Sequence, residues 1–175
     1  VDETGLADSV NLSLSGAAET GATIKTTDIE TVNILVDTAT EIISLDLITM
    51  GTALKYTEII VTGANQLTID AIHADTNSID ASALTNALVM TGTAGTDITI
   101  KGGTVASTLL SGAGDDTLIG GAGADTITGA AGSDTLTGGA GADNFIVANA
   151  ESNKLILDTI TDLGTGDQIF ITAAS

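Results

Sequence analysis

The sequence contains no Cys, Pro, Trp or Arg, and aromatic residues make up only 2% of it. Without Cys, a disulfide scaffold and a thiol nucleophile are both excluded. Hydrophobic residues nevertheless account for 43% of the chain, almost all of them Ala, Val, Ile and Leu. A compact globular core normally includes large aromatic rings that each bury roughly 150–250 Å². The composition therefore predicts a narrow interior that aliphatic side chains can fill, as in stacked coils.

Positive charge is also scarce, since four Lys face 23 acidic residues and the formal net charge is −19. Nucleic-acid binding requires Lys and Arg that neutralise phosphates, so nucleic acid is excluded as a partner. No apolar run approaches the roughly 20 residues of a membrane span. The longest candidate, Ile42–Met50, is interrupted by Asp46. A folded chain of this charge is expected to bind cations.

A repeat of nine residues is the most regular feature of the sequence. Read from residue 111, four units follow without a gap: SGAGDDTLI, GGAGADTIT, GAAGSDTLT and GGAGADNFI. Each has Gly in the fourth place, Asp in the sixth and an aliphatic residue or Phe in the eighth. The preceding unit, Gly102–Leu110, has Val105 and Ser107 in place of the fourth Gly and the Asp. Further upstream, GTAGTDITIK carries Asp97 and one extra residue.

Outside the repeats, short β-rich runs alternate with Asn, Asp, Gly, Ser and Thr, which are turn-forming residues. We predict a linker or irregular first coil over residues 1–22, an irregular parallel β-helix over 23–101, calcium-binding coils over 102–146 and closing strands around a Gly164–Gly166 turn over 147–175. Examples of the predicted upstream strands are Val32–Val36, Ile42–Leu47, Glu58–Thr62, Leu67–Ile69, Ala87–Thr91 and Asp97–Ile100.

The repeat combines the parts of a calcium site. Glycines permit turns with positive φ whose carbonyls can face an ion, and the Asp adds a carboxylate to the six to eight oxygens that Ca²⁺ prefers. If two units form one coil, turns 18 residues apart lie above one another. We therefore expect one Ca²⁺ between Asp116 and Asp134 and another between Asp125 and Asp143, on opposite edges. Half-sites follow if Asp97 lies below Asp116 and Ser107 below Asp125. The turn carbonyls expected to contribute lie around Gly112, Gly114, Ala130 and Gly132 at the first pair, and around Gly121, Gly123, Gly139 and Gly141 at the second.

The sequence lacks the motifs of phosphate-binding sites and of hydrolase active sites. Repeated Gly and Asp could form turns alone, but four units in strict register with an apolar eighth residue favour metal binding. No Gly-Lys-Ser/Thr or GxGxxG occurs that would cradle a phosphate. Neither HExxH nor GxSxG is present, and the single His73 has no partner, so no enzyme activity is expected. Asp158, Asp162 and Asp167 could form a carboxylate cluster, but we interpret them as solvated residues at strand ends.

The run SGAGDDTLIGGAGADTITGAAGSDTLTGGAGADNFIV resembles the RTX family of calcium-binding exoproteins. The tail ITDLGTGDQIFI is similar to the segment that closes RTX repeats, with Leu163 in place of an aromatic residue and Gln168 in place of Lys. The resemblance implies an all-β fold, a right-handed parallel β-helix or β-roll with Ca²⁺ bound in its turns. It also implies type I secretion. Upstream, DIETVNI, IIVTGANQLTI and SIDASALTNALVMTGTAGTDITIKGG resemble RTX-type bacterial surface-layer proteins.

The predicted function is that of a calcium-binding structural subunit of a bacterial surface layer or filament, which assembles with copies of itself outside the cell. Cell-surface polysaccharide is a candidate anchor. The alternative is a calcium-triggered folding and secretion module at the C-terminal end of a larger RTX protease, lipase or adhesin. A third idea is an ice-binding face, but the Thr array is short and interrupted. Its outward residues would be Thr117, Thr126, Thr128, Thr135 and Thr137.

Overall fold

The computed structural model describes residues 9–15, 22–26, 30–37, 44–49, 57–72, 76–91, 95–148 and 157–172. All regular structure in these ranges is β-strand. The strands are β1 Ser9–Leu14, β2 Ala22–Thr26, β3 Thr31–Val36, β4 Ser44–Thr49, β5 Thr57–Gly63, β6 Leu67–Ile72, β7 Thr76–Leu84, β8 Leu88–Met90, β9 Thr99–Lys101, β10 Thr108–Leu110, β11 Thr117–Ala122, β12 Thr126–Thr128, β13 Thr135–Ala140, β14 Asn144–Ala148, β15 Thr159–Ile160 and β16 Gln168–Thr172.

Successive strands alternate between two parallel sheets. The odd-numbered strands form one eight-stranded sheet in the order β1 to β15, and the even-numbered strands form a second, from β2 to β16. Each strand therefore pairs with the strand two places along the chain, and every pairing is parallel. This is the topology of a β-solenoid, and it confirms the predicted all-β fold.

The nine-residue repeat sets the length of its coils. Strand β11 pairs with β13 so that Thr117 lies opposite Thr135, and β12 pairs with β14 so that Thr126 lies opposite Asn144. These partners are separated by the 18 residues of two repeat units, as hydrogen bonds along the same coils also show. Elsewhere the coils are longer, with separations of 22 residues near the start and 24 between the last repeat coil and the closing strands.

The core is a stack of aliphatic rungs between the two sheets. The eighth-place residues Leu118, Ile127, Leu136 and Phe145 are fully buried, as is Leu109 of the preceding unit. In one sheet Ile79, Ile100, Leu118 and Leu136 are in successive register. Burying each such side chain contributes about 1.5–3 kcal/mol. The predicted inward direction of the eighth place is confirmed.

Several predicted elements agree with the structure and others need correction. Strands β3, β5 and β6 cover their predicted runs, strands β4, β8 and β9 overlap theirs, and β15 and β16 are the predicted closing strands. Strand β7, at nine residues the longest of the described strands, lies in the predicted β-helix but was not among the named strands, and β1 lies within the range assigned to a linker or first coil. His73, the only histidine, lies outside the described residues.

Candidate calcium site

Two columns of aspartates follow the two connections between the sheets. One column lies in the turns that enter the odd-numbered sheet and contains Asp116 and Asp134. The other lies in the turns that enter the even-numbered sheet and contains Asp125 and Asp143. All four side chains are at most 1% exposed. The sixth place of the repeat is therefore an interior position at the edge of the core.

Each aspartate is held by the coil before it. The backbone N–H of Asp116 donates to Oδ1 of Asp134 at 2.9 Å, and the N–H of Asp125 donates to Oδ1 of Asp143 at 2.8 Å. The predicted pairs therefore lie directly above one another, 18 residues apart. The first aspartate of each column makes the same bond to the preceding coil. Oδ1 of Asp116 accepts from the N–H of Ile98 at 2.9 Å, and Oδ1 of Asp125 accepts from the N–H of Ser107 at 2.6 Å.

The second oxygen of each carboxylate has no hydrogen-bond partner among the residues that the structure describes. Oδ2 of all four repeat aspartates is buried without a hydrogen bond. A buried polar atom without a partner costs about 1–3 kcal/mol, and more when it is charged. Such an oxygen is suited to a hard cation that prefers carboxylate ligands. The donor set of the turns therefore fits Ca²⁺.

Glycines let the backbones of successive turns approach each other closely. A Cβ on Gly132 would collide with the carbonyl of Gly114 in the coil below, and one on Gly141 would collide with the carbonyl of Gly123. Only glycine permits this approach. The predicted ligand set is thus two carboxylates and nearby carbonyls, and no group of three or more His, Cys, Asp or Glu side chains suited to a metal occurs among the described residues.

The second and fourth places of the turns need left-handed backbone. Glycine supplies it at Gly121 and Gly123, with φ of 111° and 102°. In the third unit the second place is Ala130, whose φ is 68°, and it is the one described non-glycine residue with positive φ. Gly112 is an exception among the predicted turn residues: it is not among the residues with positive φ, and its carbonyl accepts from the N–H of Ala131 at 2.9 Å.

First-place glycines are functional residues that the sequence analysis missed. A Cβ on Gly120, Gly129 or Gly138 would collide with Oδ2 of the aspartate in its own turn. The glycine therefore leaves room for the unpartnered oxygen. The first unit has Ser111 instead, and its buried hydroxyl donates to the carbonyl of Gly129 at 2.7 Å. Recurrence of Gly in this place in three of the four units is the signal that could have revealed its role.

Burial acts on the protonation of the carboxylates. It raises the pKa of Asp125 to about 6. The hydrogen bond from Ser107 acts in the opposite direction and lowers this pKa, whereas the negative charge of Asp143 raises it further. Burial raises the pKa of Asp134 to about 6 as well, with contributions from the charges of Asp158 and Asp116. These shifts describe the chain without metal, in which burial favours the neutral acid. Calcium requires the ionised form, so protons and calcium compete for these positions.

Only one of the two predicted half-sites has the predicted alignment. Ser107 lies below Asp125 as expected, but its hydroxyl accepts from Leu88 and Gly103 and donates to Val105 at 3.2–3.4 Å. The prediction that Asp97 lies below Asp116 is wrong. Asp97 is exposed and accepts from the N–H of Asp115 at 2.9 Å, because its strand is in register one residue away from the predicted alignment.

Three aspartates of the closing segment bond to the last repeat coil. Asp158, Asp162 and Asp167 are half-buried, and each accepts from a backbone N–H of the last repeat coil. Backbone hydrogen bonds from Asp143 and Gly164 lower the pKa of Asp167. They are thus bonded to the solenoid while remaining partly open to solvent, as their interpretation as strand-end residues expects. Asp158 and Asp167 share with the repeat the order of Asp, one polar residue and an aliphatic residue, as in DTL, DTI and DQI, whereas Asp162 is followed directly by Leu163.

Stacked turns with buried, half-satisfied aspartates define a β-solenoid of the calcium-binding kind. Residues 110–146 match the model of the RTX calcium-binding nonapeptide repeat, in four copies. These coils are therefore RTX-type calcium-binding repeats, and the cofactor that such repeats bind is Ca²⁺. No curated protein and no solved structure matches it. Proteins with RTX repeats are typically secreted. Within the described residues, no helix is long and apolar enough to cross a membrane.

Proposed function

We propose that the chain is a non-enzymatic, calcium-ordered structural subunit of a bacterial surface layer or surface filament. In this role it assembles with copies of itself outside the cell, with cell-surface polysaccharide as a candidate anchor. Calcium orders the repeat coils, and the ordered solenoid then presents its sheet edges to neighbouring copies. The resemblance of the upstream coils to surface-layer proteins motivates the specific role.

The observation that carries the proposal is the uncovered apolar strand β16. Ile169 and Phe170 are each 46% exposed, and Ile171 is 75% exposed. Among the described strands, β16 pairs with β14 alone and lies at the end of its sheet. An exposed apolar edge strand offers unpaired backbone groups to another chain. Its aliphatic side chains also extend the inner rungs, since Ile169 stacks on Phe145.

The test is the assembly state of the purified chain with millimolar calcium and with chelator. We expect calcium to produce filaments or sheets, seen by light scattering and electron microscopy. Replacing Ile171 with Asp should abolish assembly because it puts a charge on the free edge. The matched control is Val105→Asp, an apolar residue of similar size that is 39% exposed in a turn away from β16.

A chain that stays monomeric at high protein concentration and millimolar calcium would contradict the proposal. If that monomer still gains β-structure with calcium, the result would favour the folding and secretion module of a larger exoprotein. Assembly that survives Ile171→Asp but fails with Val105→Asp would place the contact elsewhere and remove the observation on which the proposal depends.

A further inference from the structure

Charge in the downstream coils is concentrated in the turns. From residue 88 onward, every described acidic residue lies outside the strands. Strands β8, β10, β12, β14 and β16 of the even-numbered sheet contain no charged residue. The odd-numbered sheet differs, because Lys101 of β9 forms an ion pair with Asp80 of β7 at 2.8 Å. A chain with a formal net charge of −19 thus has an uncharged area five strands wide.

The outer surface of these five strands is formed by two columns of side chains. Leu109, Ile127 and Phe145 are fully buried in the core, so the residues on either side of each in the sequence point outward. We call this outer surface the even face. In register, its first column is Val89, Thr108, Thr126, Asn144 and Gln168, and its second is Leu110, Thr128, Ile146 and Phe170.

The second column of the even face is mainly apolar. Phe170 is 46% exposed, and Leu110 and Ile146 are half-buried. Thr128, between Leu110 and Ile146 in register, is half-buried as well. Contiguous apolar side chains at the surface mark interaction sites, and aromatic residues are enriched at protein interfaces while charged residues are depleted from their centres. The even face therefore has the composition of a contact surface.

The distribution of charge indicates what covers this surface. Two copies that approach through their turns bring aspartates against aspartates, and such contact between like charges is unfavourable. Two even faces bring together only uncharged residues, and sheets pack face to face with their strand directions within about 30°. At about 4.8 Å between strands and 3.3 Å for each residue, the even face covers roughly 250–400 Å². A stable dimer buries about 800 Å² on each partner, so a single such contact is weak.

We propose that the even face packs against the even face of a second copy, sheet on sheet. The proposal deepens the proposed function, since a single head-to-tail contact repeated along one direction gives only a filament. The edge contact at β16 joins copies into rows, and the even face joins neighbouring rows into a layer. A weak contact suffices there because many copies in a row engage it together.

The experiment measures the face contact separately from the edge contact. The full chain with Ile171→Asp, which blocks the edge, is studied by sedimentation equilibrium at high protein concentration with millimolar calcium. We expect a weak, concentration-dependent dimer. In this background Ile146→Glu should weaken the dimer at least about tenfold, because it buries an unpaired carboxylate in the contact.

Two matched controls lie on the opposite sheet. Ile119 has the same place in its repeat as Ile146 and is also half-buried, but it points outward from the odd-numbered sheet, so Ile119→Glu should leave the dimer nearly unchanged. Thr128→Glu and Thr137→Glu repeat the comparison without removing an aliphatic side chain. Circular dichroism with calcium checks that each variant folds, and if Ile146→Glu does not, the threonine pair decides.

A strictly monomeric edge-blocked chain would overturn the proposal and leave the edge contact intact. Equal weakening by substitutions on both sheets would also overturn it, because the effect would then come from net charge or folding. If wild type forms no filaments but the dimer is present and only the even-face variants weaken it, the edge contact fails and the face contact stands. Retention of the edge-blocked monomer on a neutral glucan matrix, with release by Ile146→Glu, would make the even face a saccharide site and refute the contact between copies.

Discussion

Removal of calcium should unfold the repeat coils at neutral pH. The four Oδ2 atoms of the repeat aspartates are buried without a partner. At about 1–3 kcal/mol for each unsatisfied group, and more for charged ones, they destabilise the metal-free coils by at least about 4–12 kcal/mol. The whole stability of an ordinary domain is about 5–15 kcal/mol. The thin aliphatic core cannot offset a penalty of that size as well as the backbone entropy of the glycine turns.

The assay is far-UV circular dichroism of the full chain with chelator and during a calcium titration, combined with amide hydrogen exchange. We expect a cooperative gain of β-structure, because an ion between two stacked aspartates would bind two coils at once. Protection should appear at Leu118, Ile127 and Leu136 when calcium is added. The amides of Ile59 and Ile79 lie in coils without repeat aspartates and should change little. Equal protection of the repeat amides in both conditions would refute the reasoning.

A substitution at one column position tests the same argument at one residue. Replacing Asp125 with Ala removes a ligand and the 2.6 Å hydrogen bond from Ser107, so the calcium midpoint should rise. Thr126 is adjacent in sequence but only half-buried, and Thr126→Ala should leave the midpoint nearly unchanged. A midpoint that moves equally in both variants would indicate loss of strand stability and not loss of a ligand.

Three further predictions follow from the turns. Ala130→Gly should stabilise the calcium-bound chain by about 0.5–1 kcal/mol in thermal unfolding, because it relieves a φ of 68°. The control Ala131→Gly should destabilise it. If Ala130→Gly does not stabilise the chain, the backbone of Ala130 is not strained. Gly129→Ala should cost about 1–3 kcal/mol and raise the calcium midpoint because its Cβ collides with the aspartate of that turn, while Gly95→Ala meets no atom within 4 Å and should be neutral. Burial raises the pKa of Asp134 from 3.8 to about 6, so its contribution to the metal-free fold is complete below about pH 3.8 and is lost as pH rises through about 6. Metal-free chain should therefore gain β-structure between pH 7 and pH 4, whereas the calcium requirement should rise below about pH 6; dichroism that is flat with pH would contradict this.

The repeat coils could be predicted almost completely, since each of the nine places has one structural task. Gly and Asp define the turn, and the eighth residue defines the rung. Once two units form a coil, the separation of 18 residues fixes which aspartates meet. Asp116 therefore lies opposite Asp134 as predicted, and Leu118 lies opposite Leu136.

The register of Asp97 was wrong because two signals compete in GTAGTDITIK. Placing Asp97 below Asp116 would shift the strand by one residue and turn Thr99 and Lys101 into the core. The structure instead keeps Ile98 and Ile100 buried and leaves Asp97 in solvent. Burial of an aliphatic rung contributes about 1.5–3 kcal/mol, and an exposed carboxylate contributes nothing comparable. The apolar pattern therefore decides the alignment.

Strand β7 was missed for a related reason. Its sequence TNSIDASAL has mostly polar residues, so no continuous aliphatic run is visible. Its buried positions include Ile79, Ala81 and Leu84, but their spacing is irregular because the pairing with β5 shifts register twice. Such shifts change which side chains face the core. A strict period of two along the sequence cannot reveal a strand of this kind.

The ends of the aspartate columns explain where calcium is needed. Each aspartate uses Oδ1 to bind the coil below and leaves Oδ2 buried. At the two ends of a column, a different residue or a more exposed aspartate is therefore needed. At the lower end Ser107 takes the aspartate place, and its hydroxyl finds protein partners on all sides. At the upper end Asp158 and Asp167 are only half-buried, so water can reach them. The electrostatic penalty is therefore concentrated in the four interior aspartates, and the coils between these two ends are the part of the solenoid whose folding we expect calcium to control.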